Sequence, residues 1–139
     1  MPEPTVRLFL EFARLPAEVG LRRGIENALS AGTLEARPEL VDRLLAHRLE
    51  APPDLNGWQA QAAAGATFDV LDRLGEIRAP TLVIHGSEDN VVDYRNAELL
   101  AERIPGARLE LIPGTGHLFF WEEPERFASV VSAFLEQAA

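Results

Sequence analysis

Apolar residues recur at helical spacing through the first half of the chain and change period in the second. Val6, Phe9, Leu10 and Ala13 fall at i, i+3, i+4 and i+7, one face of a helix. Leu21, Ile25, Ala28 and Leu29 form a second stripe, and Leu40, Val41, Leu44, Leu45 and Leu49 a third. Pro38 stands in the first turn of the third helix, where its missing N–H costs nothing, and Pro52-Pro53 predicts its end. An Ala-rich fourth helix is expected from about Leu55 to Ala64, fading at Gly65. Nothing from Thr5 to about Ala66 reads as a strand. Helices this short, joined by Pro and Gly, predict a poor independent core that packs on something else.

Phe68 to Leu74 predicts a short helix ended near Gly75. Thr81 to His85 is then a continuous apolar run bounded by Gly86, which predicts a parallel strand buried on both faces. After a loop from Ser87 to Asp93, a helix is expected from Tyr94 to Ile104, with Ala97, Leu100, Ala101 and Ile104 inward. Arg108 to Ile112 alternates over its first four residues, as a half-exposed strand does. The loop Pro113 to His117 leads to a last helix opening near Pro124, with Phe127, Val130, Val131, Phe134 and Leu135 on one face. Strand, helix, strand in this order predicts parallel neighbours joined by a right-handed crossover. Two parallel strands are too few for a sheet that must be covered on both faces, so the sequence reads as a piece of a larger α/β domain.

At 139 residues the chain has the size of one domain, and 47% hydrophobic with 25% charged residues is ordinary globular composition. A formal charge of −9 argues against a nucleic-acid partner. Cysteine is absent and all 13 basic residues are Arg, which excludes disulfides, thiolate sites and lysine chemistry within these residues. No apolar run approaches bilayer length, and no cationic start precedes an apolar stretch. A cytoplasmic protein without a membrane partner is therefore expected. No two histidines stand at helical ligand spacing and no Asp-rich calcium loop occurs, so neither metal nor cofactor is expected.

The candidate chemistry lies in the second half. Asp89 follows one predicted strand directly, and His117 follows the next in a Gly-rich loop. Both would open on the carboxyl ends of parallel strands, the edge where α/β sheets place ligands. An acid orienting a histidine base is two-thirds of a nucleophilic triad. Taken singly, Asp89 reads as a turn residue and His117 as a surface loop histidine. His85 ends its strand as a structural histidine, His47 is solvated, and the side chain of Glu88 should point away from Asp89. Phe119, Phe120 and Trp121 are expected to pack around the His117 loop, with Phe119 or Phe120 the choice for any substrate contact. Glu122, Glu123 and Glu125 favour the N-terminus of the last helix through its dipole.

Residues 79–92, reading APTLVIHGSEDNVV, resemble the penultimate strand and acid loop of the α/β-hydrolase family. LLAERIPGARLEL, residues 99–111, is similar to that family's helix and last strand, and PGTGHLFFWEEPERF, residues 113–127, to its histidine loop and final helix. The resemblance implies an α/β fold class: over 67–139 the C-terminal part of an α/β-hydrolase fold, two parallel strands with flanking helices, preceded over 1–66 by a helical cap. It makes Asp89 the triad acid and His117 the general base, in the family's chain order. Asp93 stands where many members have Pro and is expected to cap the following helix.

The family's G-x-S-x-G elbow is missing from the sequence, as is its oxyanion-hole segment. Only four serines occur: Ser30, Ser87, Ser129 and Ser132. Ser30, in Ala28-Leu29-Ser30-Ala31-Gly32, superficially resembles a relaxed elbow, but a helical stripe precedes it, so a place in the cap is expected. The implied function is a segment of a hydrolase of an ester, lactone or related small acyl substrate, closest to the lactonase and esterase branch, that supplies Asp and His and is inactive alone. Family members with an Asp nucleophile use the same acid and His positions. The alternatives are a non-catalytic truncated product or a module that completes a partner chain; a flavodoxin-like domain would need a Gly-rich phosphate loop that is absent. The expected partners are a small-molecule substrate and either a second copy of the chain, as a homo-oligomer, or a chain carrying the missing strands.

Overall fold

A computed structural model describes residues 3–12, 14–51 and 54–138. Ala13 of the first stripe and the Pro52-Pro53 stop lie outside them. Five helices come first: α1 (Glu3–Phe12), α2 (Ala17–Ala28), α3 (Ala31–Ala36), α4 (Glu39–Glu50) and α5 (Leu55–Thr67). A 3-10 turn at Leu71–Glu76 leads into β1 (Leu82–Gly86), α6 (Arg95–Arg103), β2 (Arg108–Ile112), α7 (Phe119–Glu122) and α8 (Pro124–Ala138).

β1 and β2 pair in parallel, from Leu82 opposite Arg108 to Gly86 opposite Ile112, and α6 packs on both. The strand–helix–strand order is the predicted one. Two details differ. The helix expected at Phe68 to Leu74 is a 3-10 turn displaced to Leu71–Glu76, because Asp69 Oδ1 accepts the Leu71 N–H at 3.0 Å and starts the turn there; Phe68 is left 72% exposed. β1 is only partly buried from Leu82 to His85, not enclosed on both faces. Among the described residues only β2 pairs with it, and a two-stranded sheet cannot cover both faces of either strand.

The main core lies in the helical half rather than on the sheet. Ile25, Ala28, Leu29, Leu40, Val41, Leu44 and Leu45 are buried together between α2 and α4, joined by Leu118 from the loop after β2. Val91 and Trp121 pack against the same cluster, so the helices rest on the two loops that carry Asp89 and His117. Leu49, expected inward, is exposed, as is Leu100 on α6. α1 also departs from its stripe. Val6 and Leu10 are exposed while the polar Thr5 is fully buried, because its hydroxyl finds acceptor and donor partners inside. α5 runs past Gly65 to Thr67, and every side chain described along it is exposed.

Candidate active site

The turn after β1 is laced to the loop after β2 by backbone. Ser87 N–H donates to Ile112 O at 3.1 Å, Glu88 N–H to Thr115 O at 2.8 Å, and Gly114 N–H to Ser87 Oγ at 2.9 Å. This close approach requires glycine. A Cβ on Gly86 would lie 2.1 Å from Gly116 O, and one on Gly116 would lie 2.6 Å from Ala28 O. The end of β1, the His117 loop and the junction between α2 and α3 are thus stacked backbone on backbone.

Asp89 is held at the centre, with its side chain 1% exposed. Its Oδ1 accepts the N–H groups of Val91 at 2.7 Å and Val92 at 2.9 Å, a local turn that Asp favours. Its Oδ2 lies 2.8 Å from His117 Nδ1 and 3.0 Å from His85 Nε2. Burial pushes the Asp89 carboxyl up, but the His117 hydrogen bond, the Val92 N–H, the His117 charge and the Val91 N–H together hold it below its ordinary value. From the helical half, Thr5 donates its hydroxyl to Asn90 O, and Asn27 Nδ2 donates to Thr5 Oγ1 at 2.9 Å.

An ionised carboxylate only accepts, so the neutral His117 ring carries its proton on Nδ1 and presents Nε2 as the basic nitrogen. No hydrogen bond to that Nε2 forms among the described residues, and the side chain is 42% exposed. The pair can therefore orient a histidine, take a proton at Nε2 and stabilise the resulting cation.

Glu122 is the residue whose burial and partners sequence patterning missed. Expected to act through the dipole of the last helix, it ends α7 at 1% exposure and holds specific partners. Its Oε1 accepts the Gly116 N–H at 2.7 Å, and its Oε2 accepts the Ser30 N–H at 3.1 Å and the Ser30 hydroxyl at 2.7 Å. Nothing in the run Glu122-Glu123 tells the buried carboxylate from its exposed neighbour. Ser30 itself caps α3, accepting the Thr33 N–H at 3.2 Å, and is fully buried. His85 is satisfied, as expected, by Val92 O at 3.0 Å, but it also reaches the acid, which strand period alone does not reveal. Its position four residues before Asp89 across a Gly-bounded turn was the available signal.

The other residues singled out lie around this centre. Glu88 is exposed. Asp93 Oδ1 accepts the Arg95 N–H at 3.0 Å at the start of α6, and the Arg95 guanidinium beside it holds its carboxyl far below the ordinary value. Phe119 meets Phe120 and Phe127 edge to face, while Trp121 turns to the core and stands 6.4 Å from the ring of His47 on α4. Among the described residues no group of three His, Asp or Glu side chains is placed to hold a metal ion, and no helix is long and apolar enough to cross a membrane.

Comparison with known proteins gives a consistent neighbourhood. A family described as alpha/beta hydrolase fold matches residues 4–124. The 2-hydroxy-6-oxo-6-phenylhexa-2,4-dienoate hydrolase of Comamonas testosteroni is 32% identical over 99% of this chain and 48% of its own length. Among solved structures, Est816, described as an N-acyl homoserine lactone degrading enzyme, aligns at TM-score 0.70 and 32% identity over 96% of this chain and 52% of that one. An esterase from Exiguobacterium antarcticum aligns at TM-score 0.79 and 25% identity over 96% of this chain and 48% of that one. The chain thus spans about half the length of these relatives.

Proposed function

Given that the chain belongs to the alpha/beta hydrolase fold family, we propose that it supplies the acid and the base of a nucleophile–His–Asp relay that hydrolyses an ester, lactone or related small acyl substrate. The observation that carries this reading is the 2.8 Å contact between His117 Nδ1 and a buried Asp89, formed where two adjacent parallel strands end. Esterase and lactone-degrading neighbours support the acyl substrate class. In this scheme His117 Nε2 takes the proton of the nucleophile as it attacks the carbonyl, then returns it to the leaving oxygen. Asp89 keeps the ring in the required tautomer and stabilises the imidazolium. The helices over residues 1–66 act as the cap that lines the substrate pocket, and the compartment is the cytoplasm.

The nucleophile is not one of these 139 residues, on this reading. Ser30 is a buried helix cap bonded to Glu122, Ser87 follows β1 but sits in the acid turn with its Oγ accepting the Gly114 N–H, and Ser129 and Ser132 lie within α8. The unpaired edge of β1 is where strands bearing the nucleophile would add, from the same polypeptide or from a partner.

The test is a chimera in which this chain replaces the matched half of Est816, assayed on p-nitrophenyl acetate and an N-acyl homoserine lactone. Saturable turnover that falls by about 10³-fold or more in His117→Ala and in Asp89→Asn is expected. A folded, active chimera indifferent to both substitutions refutes the assignment. The chain alone should give no saturable turnover; turnover abolished by Ser30→Ala would identify Ser30 as the nucleophile instead.

A further inference from the structure

His85 has no part in the relay just described, yet its ring nitrogen touches the same carboxylate oxygen as His117. Asp89 offers four acceptor sites and is almost wholly removed from water. Two are filled by the backbone N–H groups of Val91 and Val92, and one by His117 Nδ1. The fourth faces His85 Nε2 at 3.0 Å, and that nitrogen is also 3.0 Å from Val92 O. A carbonyl and a carboxylate only accept, so an unprotonated Nε2 would set three lone pairs against one another. The proton of neutral His85 must sit on Nε2, where it is donated to Val92 O and leaves the polarised edge of the ring 3.0 Å from Asp89 Oδ2.

His85 is thereby tied to the acid through Val92. Val92 donates its N–H to one carboxylate oxygen and accepts from His85 through its carbonyl, which sets His85 Nε2 3.0 Å from the other oxygen. We infer that His85 is a positioning residue, which locks the plane of the Asp89 carboxylate and draws charge from Oδ2, so weakening the hold of Asp89 on the His117 proton. A positively polarised ring edge 3.0 Å from Oδ2 competes with His117 for the same negative charge inside a site removed from water. Among the described residues the charged group in contact with His117 is Asp89 from the turn after β1, with His85 from β1 against the same carboxylate oxygen. Glu88 on that turn is exposed, and Asp93 beyond it is engaged by Arg95.

This inference rests on Asp89 and His117 forming a working acid–base pair, and the experiment separates the two. The His117 ring proton is followed by NMR as a function of pH in the intact chain and in His85→Phe, His85→Gln and Asp89→Asn. Removing the polarised ring edge in His85→Phe should raise the His117 midpoint. His85→Gln, whose amide can donate from the Nε2 position, should return the midpoint to within a few tenths of the native value. Asp89→Asn should lower the midpoint; if it does not, the pairing itself is wrong. If Asp89→Asn shifts the midpoint but His85→Phe does not, the role of His85 is overturned. Where His85→Phe fails to fold, the native chain still decides, because a long-range ¹H–¹⁵N spectrum at neutral pH must show His85 protonated at Nε2. The Nδ1 tautomer overturns the proposal.

Discussion

Glu122→Gln changes one atom in a buried site, and its cost can be worked from the contacts. The carboxylate accepts from Gly116 N–H, Ser30 N–H and the Ser30 hydroxyl. Glutamine has one acceptor oxygen, and its NH₂ must occupy the other place. Put against Gly116, the amide faces a backbone N–H that cannot turn away. Put against Ser30, the hydroxyl can rotate to accept, but the Ser30 N–H cannot. Either way one buried N–H loses its partner, at about 1–3 kcal/mol, and the remaining bonds lose their charge assistance. A loss near 2 kcal/mol is expected. Ser30→Ala removes the hydroxyl and the α3 cap, for about 1 kcal/mol. The double variant should show a coupling of roughly 0.5–1.5 kcal/mol, because both changes act on one oxygen. Urea unfolding followed by circular dichroism at fixed chain concentration gives these values, provided the slope is unchanged. A Glu122→Gln chain within about 0.5 kcal/mol of the native one would refute the account of Glu122 as the tie between Ser30 and the His117 loop.

Three other outcomes are expected. Gly116→Ala should destabilise by about 3 kcal/mol or more, since its methyl meets the Ala28 and Leu29 backbone, whereas Gly32→Ala in α3, with open space around it, should stabilise by roughly 0.5–1 kcal/mol; thermal melts rank the two. Because Asp89 titrates below its ordinary value of 3.8 in the folded chain, it stabilises the fold above that pH, and this contribution is lost as the pH falls through the lower folded value. Unfolding measured from pH 5 downward should therefore show a shallower acid loss in Asp89→Asn than in the native chain, and parallel curves would contradict it. The unpaired edge of β1 and the exposed Val6 and Leu10 should make the isolated chain self-associate, so a monomer in sedimentation at high concentration that binds no hydrophobic dye would count against that surface.

That Asp89 and His117 meet was legible because each stands in the loop after a predicted strand, one an apolar run stopped at Gly86 and the other an alternating run stopped at Pro113, and strand ends are set by local pattern. Their separation across the sheet then follows from parallel pairing alone. The contact between His85 and Asp89 was not legible, since it depends on how the intervening turn folds back and not on any periodicity. Glu122 was hidden for a related reason. α7 is a single turn without a repeating apolar pattern, and it alone determines which of two adjacent glutamates faces inward. The inner face of α1 was misjudged because apolar period does not show that Thr5 finds Asn90 O and Asn27 as partners inside, while Val6 and Leu10 stay exposed.

The ties that support Asp89 and His117 differ greatly in the length of chain they close. The pair itself spans 28 residues, whereas Thr5 reaches Asn90 across 85 and Ser30 reaches Glu122 across 92. In equilibrium terms the difference is small, because closing the longer loop costs only about 1 kcal/mol more entropy. In time it matters more, since distant contacts are found late in the search for the native state. The acid and histidine should therefore meet before the helices arrive to brace them. During that interval Leu118, whose fully buried partners in the core cluster lie in the helical half, is open to other apolar surfaces. The order of assembly thus concentrates the risk of misassociation on the loop that carries His117.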